Sequence, residues 1–590
     1  MINITINDIP LKVPQQPSIL QAAKKANIHI PTLCYLEGHE AIGACRVCVV
    51  EVEGAKSLVP SCSTFVSEGM KIKTNTRRVR EARKTVVELI LSEHNGNCQT
   101  CDRNGDCELQ KIAEELGIRT IDFSGEKLSY NIDSSTAALV RDNSKCIKCR
   151  RCVTVCNSIQ TVGALYPQFR GFKTLIGPAF TLNLKDVTCV QCGQCAAVCP
   201  VGAITENSHI NLVWNALDNK DKAVVVQTAP AVRAALGECF GYPPGTLVTG
   251  KMVAALRRLG FSTVFDTNFT ADLTIIEEGS EFLHRLKKYF KDNQHNILPQ
   301  FTSCSPGWIN YMEYFYPQFI PNVSTCKSPQ QMFGALAKTY WAQKIGKKPE
   351  DIFVVSIMPC TAKKFEAQRE EMKASGFRDV DAVLTTRELA QMIKQAGIDF
   401  KNLPDEEFDK VMGISSGAAD IFANTGGVME AALRTVWEIV TGNQLPFENL
   451  RVEPVVGLNG IKEASITFSK TVPEWSFLEN ITINVAVAHG LKNAKEVIER
   501  VINKKANYHF IEIMTCPGGC IGGGGQPRLT DDSKREQRIK AIYKEDEKKK
   551  LRKSHDNPKI KQVYGEFLNI PLGEKSHHLL HTKYTKKERI

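Results

Sequence analysis

The chain has 590 residues, 43% hydrophobic and 24% charged, with a formal net charge of +11 at pH 7. That length exceeds a single hydrophobic core and predicts several domains, while the composition excludes a disordered chain. Its 21 cysteines are spaced too tightly and regularly for a secreted disulfide framework, so they read as metal ligands in a cytoplasmic protein.

The amino end, MINITINDIPLKV, lacks the basic-then-apolar design of a secretory signal, and no apolar run is long enough to span a membrane. Residues 2–13 read as two short alternating strands turning at Asn7-Asp8, and 18–28 as a short amphipathic helix. Cys34, Cys45, Cys48 and Cys62 follow in C-x10-C-x2-C-x13-C spacing. This segment resembles plant-type [2Fe–2S] ferredoxins, with a longer first gap. A four-cysteine zinc site is the alternative, although zinc prefers two compact Cys pairs. His94, Cys98, Cys101 and Cys107 form a second group. One His and three Cys suit tetrahedral zinc. The segment also resembles the His-plus-three-Cys [4Fe–4S] domain of iron-only hydrogenases and of the large peripheral subunit of respiratory complex I.

Two runs of C-x2-C-x2-C-x3-C come next, at 146–156 and 189–199. In two-cluster ferredoxins the fourth Cys of each run ligates the other run's cluster. Cys146, Cys149, Cys152 and Cys199 are therefore assigned to one [4Fe–4S] cluster, and Cys189, Cys192, Cys195 and Cys156 to the other. Asn157 stands where Pro usually follows the first run. Fifteen cysteines precede residue 200, so the front of the chain predicts a wire for single electrons.

From about residue 210 the pattern changes to apolar strands (223–227, 262–266, 353–358, 483–489, 509–514) alternating with helical stretches such as TTRELAQMIKQAG. That alternation predicts α/β units with sites at the strand C-terminal ends. Cysteines recur there, in FTSCSPGW (Cys304), IMPCTAKKFE (Cys360) and IEIMTCPGGCIGGGGQP (Cys516, Cys520). These three segments, in this order, resemble the signature stretches of [FeFe]-hydrogenases. QTAPAVR, EEGSEFLHR, CKSPQQMFGA and TGGVMEAALR extend the resemblance over essentially the whole chain.

The resemblance implies a multidomain α+β and α/β protein, with ferredoxin-like iron–sulfur modules followed by a large α/β catalytic domain. The expected boundaries are 1–78 ([2Fe–2S]), 79–125 (His-plus-three-Cys), 137–208 (two-[4Fe–4S]), 209–525 (catalytic) and 526–590 (a small-subunit-like segment wrapping the catalytic domain). It implies reversible conversion of H2 to protons and electrons at an H-cluster. That group is a [4Fe–4S] cubane joined by a cysteine sulfur to a diiron unit carrying CO, cyanide and an amine dithiolate. Cys360, Cys516 and Cys520 are its implied ligands, with Cys520 as the bridge. Lys363 is implied to donate to a cyanide, Ala229 and Pro230 to line the same ligands, and Met358 and Met514 to wall the diiron unit. Cys304, Glu278, Ser324 and Glu281 match the family's proton route, with Arg285 one turn beyond Glu281.

One position departs from the family. Its first signature carries two adjacent cysteines, a proton relay and then a cubane ligand, and here the second is Ser305. Either Ser305 binds iron through oxygen, or Cys304 becomes the ligand, or the cubane is weakened. Iron's preference for thiolate favours Cys304. Cys239 and Cys326 fit no cluster and read as buried structural thiols.

Expected partners are ferredoxin and/or flavin- and NAD(P)-binding subunits, along with maturation proteins that build the diiron unit. The glycine run at 518–525 opens no helix, so nicotinamide chemistry would lie on another chain. The basic stretches at 534–538 and 548–553 read as a solvated helix face or a docking site for an acidic partner. Neither a nucleic-acid module nor a membrane partner is indicated. Three readings compete with catalysis: a complex-I-like electron-transfer subunit, a non-catalytic iron–sulfur assembly scaffold and a hydrogen sensor. IMPC and TCPGGC count against the first, the proton-route residues and Lys363 against the second, and the lack of a signalling domain against the third.

Overall fold

The computed structural model describes residues 1–14 and 16–589. β1 (Ile2–Ile6) and β2 (Ile9–Val13) pair antiparallel, with Asn7 and Asp8 at φ 48° and 65°. Short polar side chains tolerate those left-handed angles, so this dipeptide closes a two-residue hairpin. Ser18 and Gln21 form a reciprocal capping box that starts the helix Ile19–Lys25. The helix stops short of residue 28 because the chain turns left-handed at Asn27 (φ 55°). β3 (Val49–Val52), β4 (Val59–Pro60) and β5 (Lys71–Lys73) complete a sheet of order β2-β1-β5-β3-β4.

The helix Arg77–Glu93 starts on the Thr76 cap and delivers His94 at its end. β6 (Leu139–Arg141) then leads into the first cysteine run, and β7 (Tyr166–Gln168) and β8 (Leu175–Gly177) form a hairpin between the two runs. β9 (Ile204–Glu206) returns to pair antiparallel with β6, bringing the beginning and end of this module together.

The remaining strands are β10 (Ala223–Thr228), β11 (Thr263–Asp266), β12 (Gln300–Phe301), β13 (Ile352–Met358), β14 (Ala382–Thr385), β15 (Ile461–Thr467), β16 (Thr482–His489) and β17 (Phe510–Met514). They build two four-stranded sheets, β11-β10-β13-β14 and β12-β17-β16-β15. The first is wholly parallel, and in the second only β15 runs antiparallel. β10, β13 and β17 are apolar almost throughout because helices cover both faces, as parallel sheets require. β10, β12, β13 and β17 all point their C-terminal ends at one buried cavity.

The C-terminal segment departs from a solvated reading. Its helix Asp532–Lys548 buries Arg538, Ile539, Ile542, Tyr543 and Asp546. Arg538 pairs with Glu238 at 2.7 Å, and Asp546 with Arg434 at 2.9 Å. These charges are neutralised by packing partners from distant parts of the chain. No helix among the described residues is long and apolar enough to cross a membrane.

Candidate active site

The electron-carrying modules are assembled from thiols that the fold gathers. The Cys34 thiol lies within hydrogen-bonding reach of those of Cys45 and Cys62, and Cys62 within reach of Cys48, so the four form one group. Cys48 and Cys62 border β3 and β4, and the other two lie on the loop from the first helix. The next group gathers less completely. His94 and Cys98 flank Gly96, whose absent side chain would touch both. Cys107 lies near Cys101, and the Nδ1 of His94 is buried without a partner. A buried imidazole nitrogen with nothing to bond is a free metal donor.

In the two-run module Cys146, Cys149, Cys152 and Cys199 line one small cavity, and Cys156, Cys189, Cys192 and Cys195 line a second. The fourth cysteine of each run therefore sits with the first three of the other. The second run docks directly on the catalytic body. Gln194 donates to the Gly522 carbonyl at 2.9 Å, and the Thr361 hydroxyl to the Gln191 carbonyl at 2.9 Å. Gly524 approaches so closely that a Cβ there would lie 2.2 Å from the Cys192 carbonyl oxygen. Glycine is required because two backbones meet without room for a methyl group.

The central cavity lies where the two sheets end. Cys360 follows β13 and Cys516 and Cys520 follow β17, and all three line it. Met358 and Met514, the last residues of those strands, are each 3% exposed and form apolar walls. Ala229 and Pro230 close another side after β10, where the Ala229 amide donates to the Ile357 carbonyl at 3.0 Å. Lys363 also lines the cavity. Its ammonium donates to the Cys304 carbonyl at 3.1 Å and to Glu366 at 2.9 Å. Glu366 is held in turn by Ser328 and Gln330. Three thiols, soft walls and a buried cation in a pocket that excludes bulk water suit a thiolate-held, anionic iron cluster. The residues present fit the H-cluster.

Cys304 and Ser305 diverge. The Ser305 hydroxyl bonds the Thr515 hydroxyl at 2.8 Å and accepts from the Thr515 amide at 3.2 Å, which sets it beside Cys516. Cys304 is half-buried, and burial, followed by the nearby Glu278 carboxylate, pushes its thiol well above the usual range. Cys304 therefore faces Glu278 and Cys520, while Ser305 occupies the corner next to Cys516. The thiolate preference that favoured Cys304 as the cubane ligand takes no account of this placement.

Glu278 and Glu281 share a face of the helix Asn268–Phe290. Glu278 is 1% exposed, and neither carboxylate oxygen has a hydrogen-bond partner. Burial, with the Glu281 charge adding to it, pushes Glu278 up to about 8. Ser324 donates to Glu281 Oε2 at 2.8 Å, and Arg285 binds Glu281 Oε1 at 2.7 Å. Glu281 and Arg285 are each 12% exposed, so this line of groups leads from the cavity wall to the surface.

Sequence reasoning missed Thr515, Gln194, Glu366 and the pair Glu277–His581. Only Glu366 carried any signal, since its i,i+3 spacing from Lys363 is that of a helical ion pair. The others depend on contacts between segments far apart in the chain.

Comparison with known proteins agrees with this geometry. Residues 222–524 match the C-terminal domain of the iron-only hydrogenase large subunit, and 532–587 match the iron hydrogenase small subunit. The front matches a 2Fe-2S iron-sulfur cluster binding domain (1–77), the NADH-ubiquinone oxidoreductase-G iron-sulfur binding region (83–122) and a 4Fe-4S dicluster domain (145–203). The chain is 51% identical to the NADP-reducing hydrogenase subunit HndD of Solidesulfovibrio fructosivorans, covering 100% of both chains. It is 40% identical to iron hydrogenase 1 of Clostridium pasteurianum, covering 99% of this chain and 100% of that one. Among solved structures, a variant of [FeFe]-hydrogenase HydA1 from Chlamydomonas reinhardtii superposes with a TM-score of 0.58 at 44% identity. That match covers 64% of this chain and 99% of the other.

Proposed function

This chain belongs to the iron-only hydrogenase family, and on that premise we propose that it is the catalytic member of a multisubunit, NAD(P)-linked hydrogenase. As a member of the family it interconverts H2 with protons and electrons, using an H-cluster fed by one [2Fe–2S] and three [4Fe–4S] clusters. The full-length similarity to a subunit named as NADP-reducing supports the multisubunit reading, with a flavin- and nucleotide-binding subunit supplying or taking electrons at the front modules. Ferredoxin is the alternative partner. A cytoplasmic location is part of the same proposal, as are the boundaries 1–78, 79–125, 137–208, 209–525 and 526–590.

The H-cluster, when bound, supplies the metal chemistry of hydrogen cleavage and an amine base. In this reading Cys360, Cys516 and Cys520 would hold its cubane, with Cys520 the cysteine shared with the diiron unit, and Ser305 would offer an oxygen ligand beside Cys516. Lys363 faces the diiron unit's anionic ligands, with Glu366 and the Cys304 carbonyl fixing its direction. Ala229, Pro230, Met358 and Met514 exclude water. The Cys304 thiol passes protons to and from Glu278, and Ser324, which lies beside Glu278 and donates to Glu281, stands between the two carboxyls on the way to the surface. Glu278 carries the proposal. A buried carboxyl poised at about 8 both accepts and releases a proton near neutral pH.

The front modules would ligate their clusters through Cys34, Cys45, Cys48 and Cys62, then His94, Cys98, Cys101 and Cys107, then the two crossed sets of four. The test is infrared spectroscopy of the matured protein with H2 evolution from reduced methyl viologen, repeated with NADPH and a flavin subunit. Carbonyl and cyanide bands with H2 release support the catalytic assignment. Failure of both, when a control hydrogenase matures normally, sinks it. Activity with viologen and reduced ferredoxin, but none through the flavin subunit, would replace the multisubunit reading with the ferredoxin one.

A further inference from the structure

We propose that Glu281, Cys326 and His581 form a binding site for a soft divalent cation such as Zn2+, placed so that its occupation closes the proton route. The inference rests on the reading of Glu281 as the outer member of that route. One ligand atom from each residue lies within 4.8 Å of the others, with Cys326 and His581 buried and Glu281 at the edge of solvent. Cys326 Sγ is 4.0 Å from Glu281 Oε2 and 4.0 Å from His581 Nδ1. Zinc bonds of about 2.3 Å to sulfur and 2.0–2.1 Å to nitrogen need these atoms to close up by roughly half an ångström.

The surroundings already orient the imidazole as metal sites do. His581 Nε2 lies 3.1 Å from Glu277 Oε2. Glu277 is pinned by the Tyr564 hydroxyl and, at 2.9 Å, by the Leu572 amide. A carboxylate taking the Nε2 proton leaves Nδ1 as a lone pair directed at Cys326 and Glu281. Nδ1 now meets the Thr325 hydroxyl at 2.8 Å, a neutral donor that a metal would displace.

Charge balances as well. A thiolate and a carboxylate offset a dication, and the imidazole stays neutral. Binding releases the Cys326 thiol proton, so affinity rises with pH. Burial, followed by the nearby Glu281 charge, raises that thiol's pKa, so a bound metal must displace its proton. His577, which is exposed, has its ring centroid 4.3 Å from that of His581, so the site lies one side chain from solvent. Once bound, the metal occupies Glu281 Oε2, the atom to which Ser324 donates. Glu281 can then no longer take protons from the interior.

The experiment titrates ZnCl2 into the matured holoenzyme. It reads the zinc K-edge EXAFS alongside H2 uptake coupled to benzyl viologen. The expected result is one zinc per chain with a single sulfur near 2.3 Å and nitrogen and oxygen neighbours, at least a tenfold loss of H2 uptake, and recovery on chelation. Cys326→Ser and His581→Gln should lose the bound zinc with iron content unchanged. A zinc shell without sulfur, or variants that bind zinc as the parent does, would overturn the site. Zinc bound through Cys326 and His581 with undiminished H2 uptake would uphold the site and refute the route through Glu281.

Discussion

Replacing Glu278 by Gln should move activity and stability in opposite directions. Folded, the carboxyl keeps its proton up to about pH 8 rather than the ordinary 4.5, because burial, followed by the neighbouring Glu281 charge, disfavours its carboxylate form. A group whose pKa is raised by folding stabilises the fold below the unfolded value, and that contribution is lost as pH rises through the folded one. At 1.36 kcal/mol per pH unit, the loss between pH 5 and pH 9 is about 4 kcal/mol. Glutamine fills the same space and never ionises. Glu278→Gln should therefore match the parent's stability most closely at pH 5 and exceed it increasingly toward pH 9. Its catalysis should fall by about 10²–10⁴-fold, the usual worth of a positioned acid–base group. Calorimetry of both proteins at the two pH values, with H2 evolution from reduced viologen, checks both effects. A variant retaining half its activity, or a stability gap that stays constant with pH, would refute the reasoning.

Three further outcomes follow from the site. Cys304→Ala should keep its iron content and infrared bands while losing about 10²-fold or more in turnover, whereas loss of the bands would make Cys304 a ligand. Lys363→Ala strands the Glu366 carboxylate, which is 5% exposed. The cost should be about 3 kcal/mol, at the low end for a broken buried pair because Ser328 and Gln330 remain. Thermal denaturation would show it, and an unchanged midpoint would contradict the pairing. Gly524→Ala puts a methyl group against the Cys192 carbonyl. It should cost about 1–3 kcal/mol of local packing and slow electron delivery from the partner, with the infrared bands preserved. Partner-driven rates equal to the parent's would argue against that contact.

The sequence exposed most of what is local. Cysteine spacing grouped the front thiols, and the crossed pairing of Cys156 and Cys199 follows from two runs folding face to face. The strands ending at Met358 and Met514 were legible as apolar runs, each followed by a cysteine. Contacts across the chain were not. Ser305 differs from cysteine by one atom, and its bonds to Thr515, 210 residues away, are what set it beside Cys516. The helix Asp532–Lys548 misleads for a related reason. Its charges look solvated because Glu238 and Arg434, which neutralise them, are 300 and 112 residues distant. Cys326 offered no signal, since its neighbours are a side chain on another helix and a histidine 255 residues later.

The two kinds of traffic reach the cavity from different elements, and that separation bears on why Ser305 is compatible with function. Electrons arrive where Gln191 and Gln194 of the second cysteine run contact Thr361 and Gly522, beside Cys516. The proposed proton route runs through Cys304 and the helix Asn268–Phe290, which the C-terminal segment covers with Tyr564, Leu572 and His581. Ser305 lies on the electron side, bonded to Thr515. If Ser305 is the fourth ligand, as proposed, an oxygen in place of sulfur there would change how readily the cubane gains and loses an electron and leave the proton line intact. A serine at position 304 would do the reverse, removing the thiol that stands against Glu278. Under the proposed assignments, 305 is therefore the signature position where this substitution would tune electron transfer and leave the proton line intact.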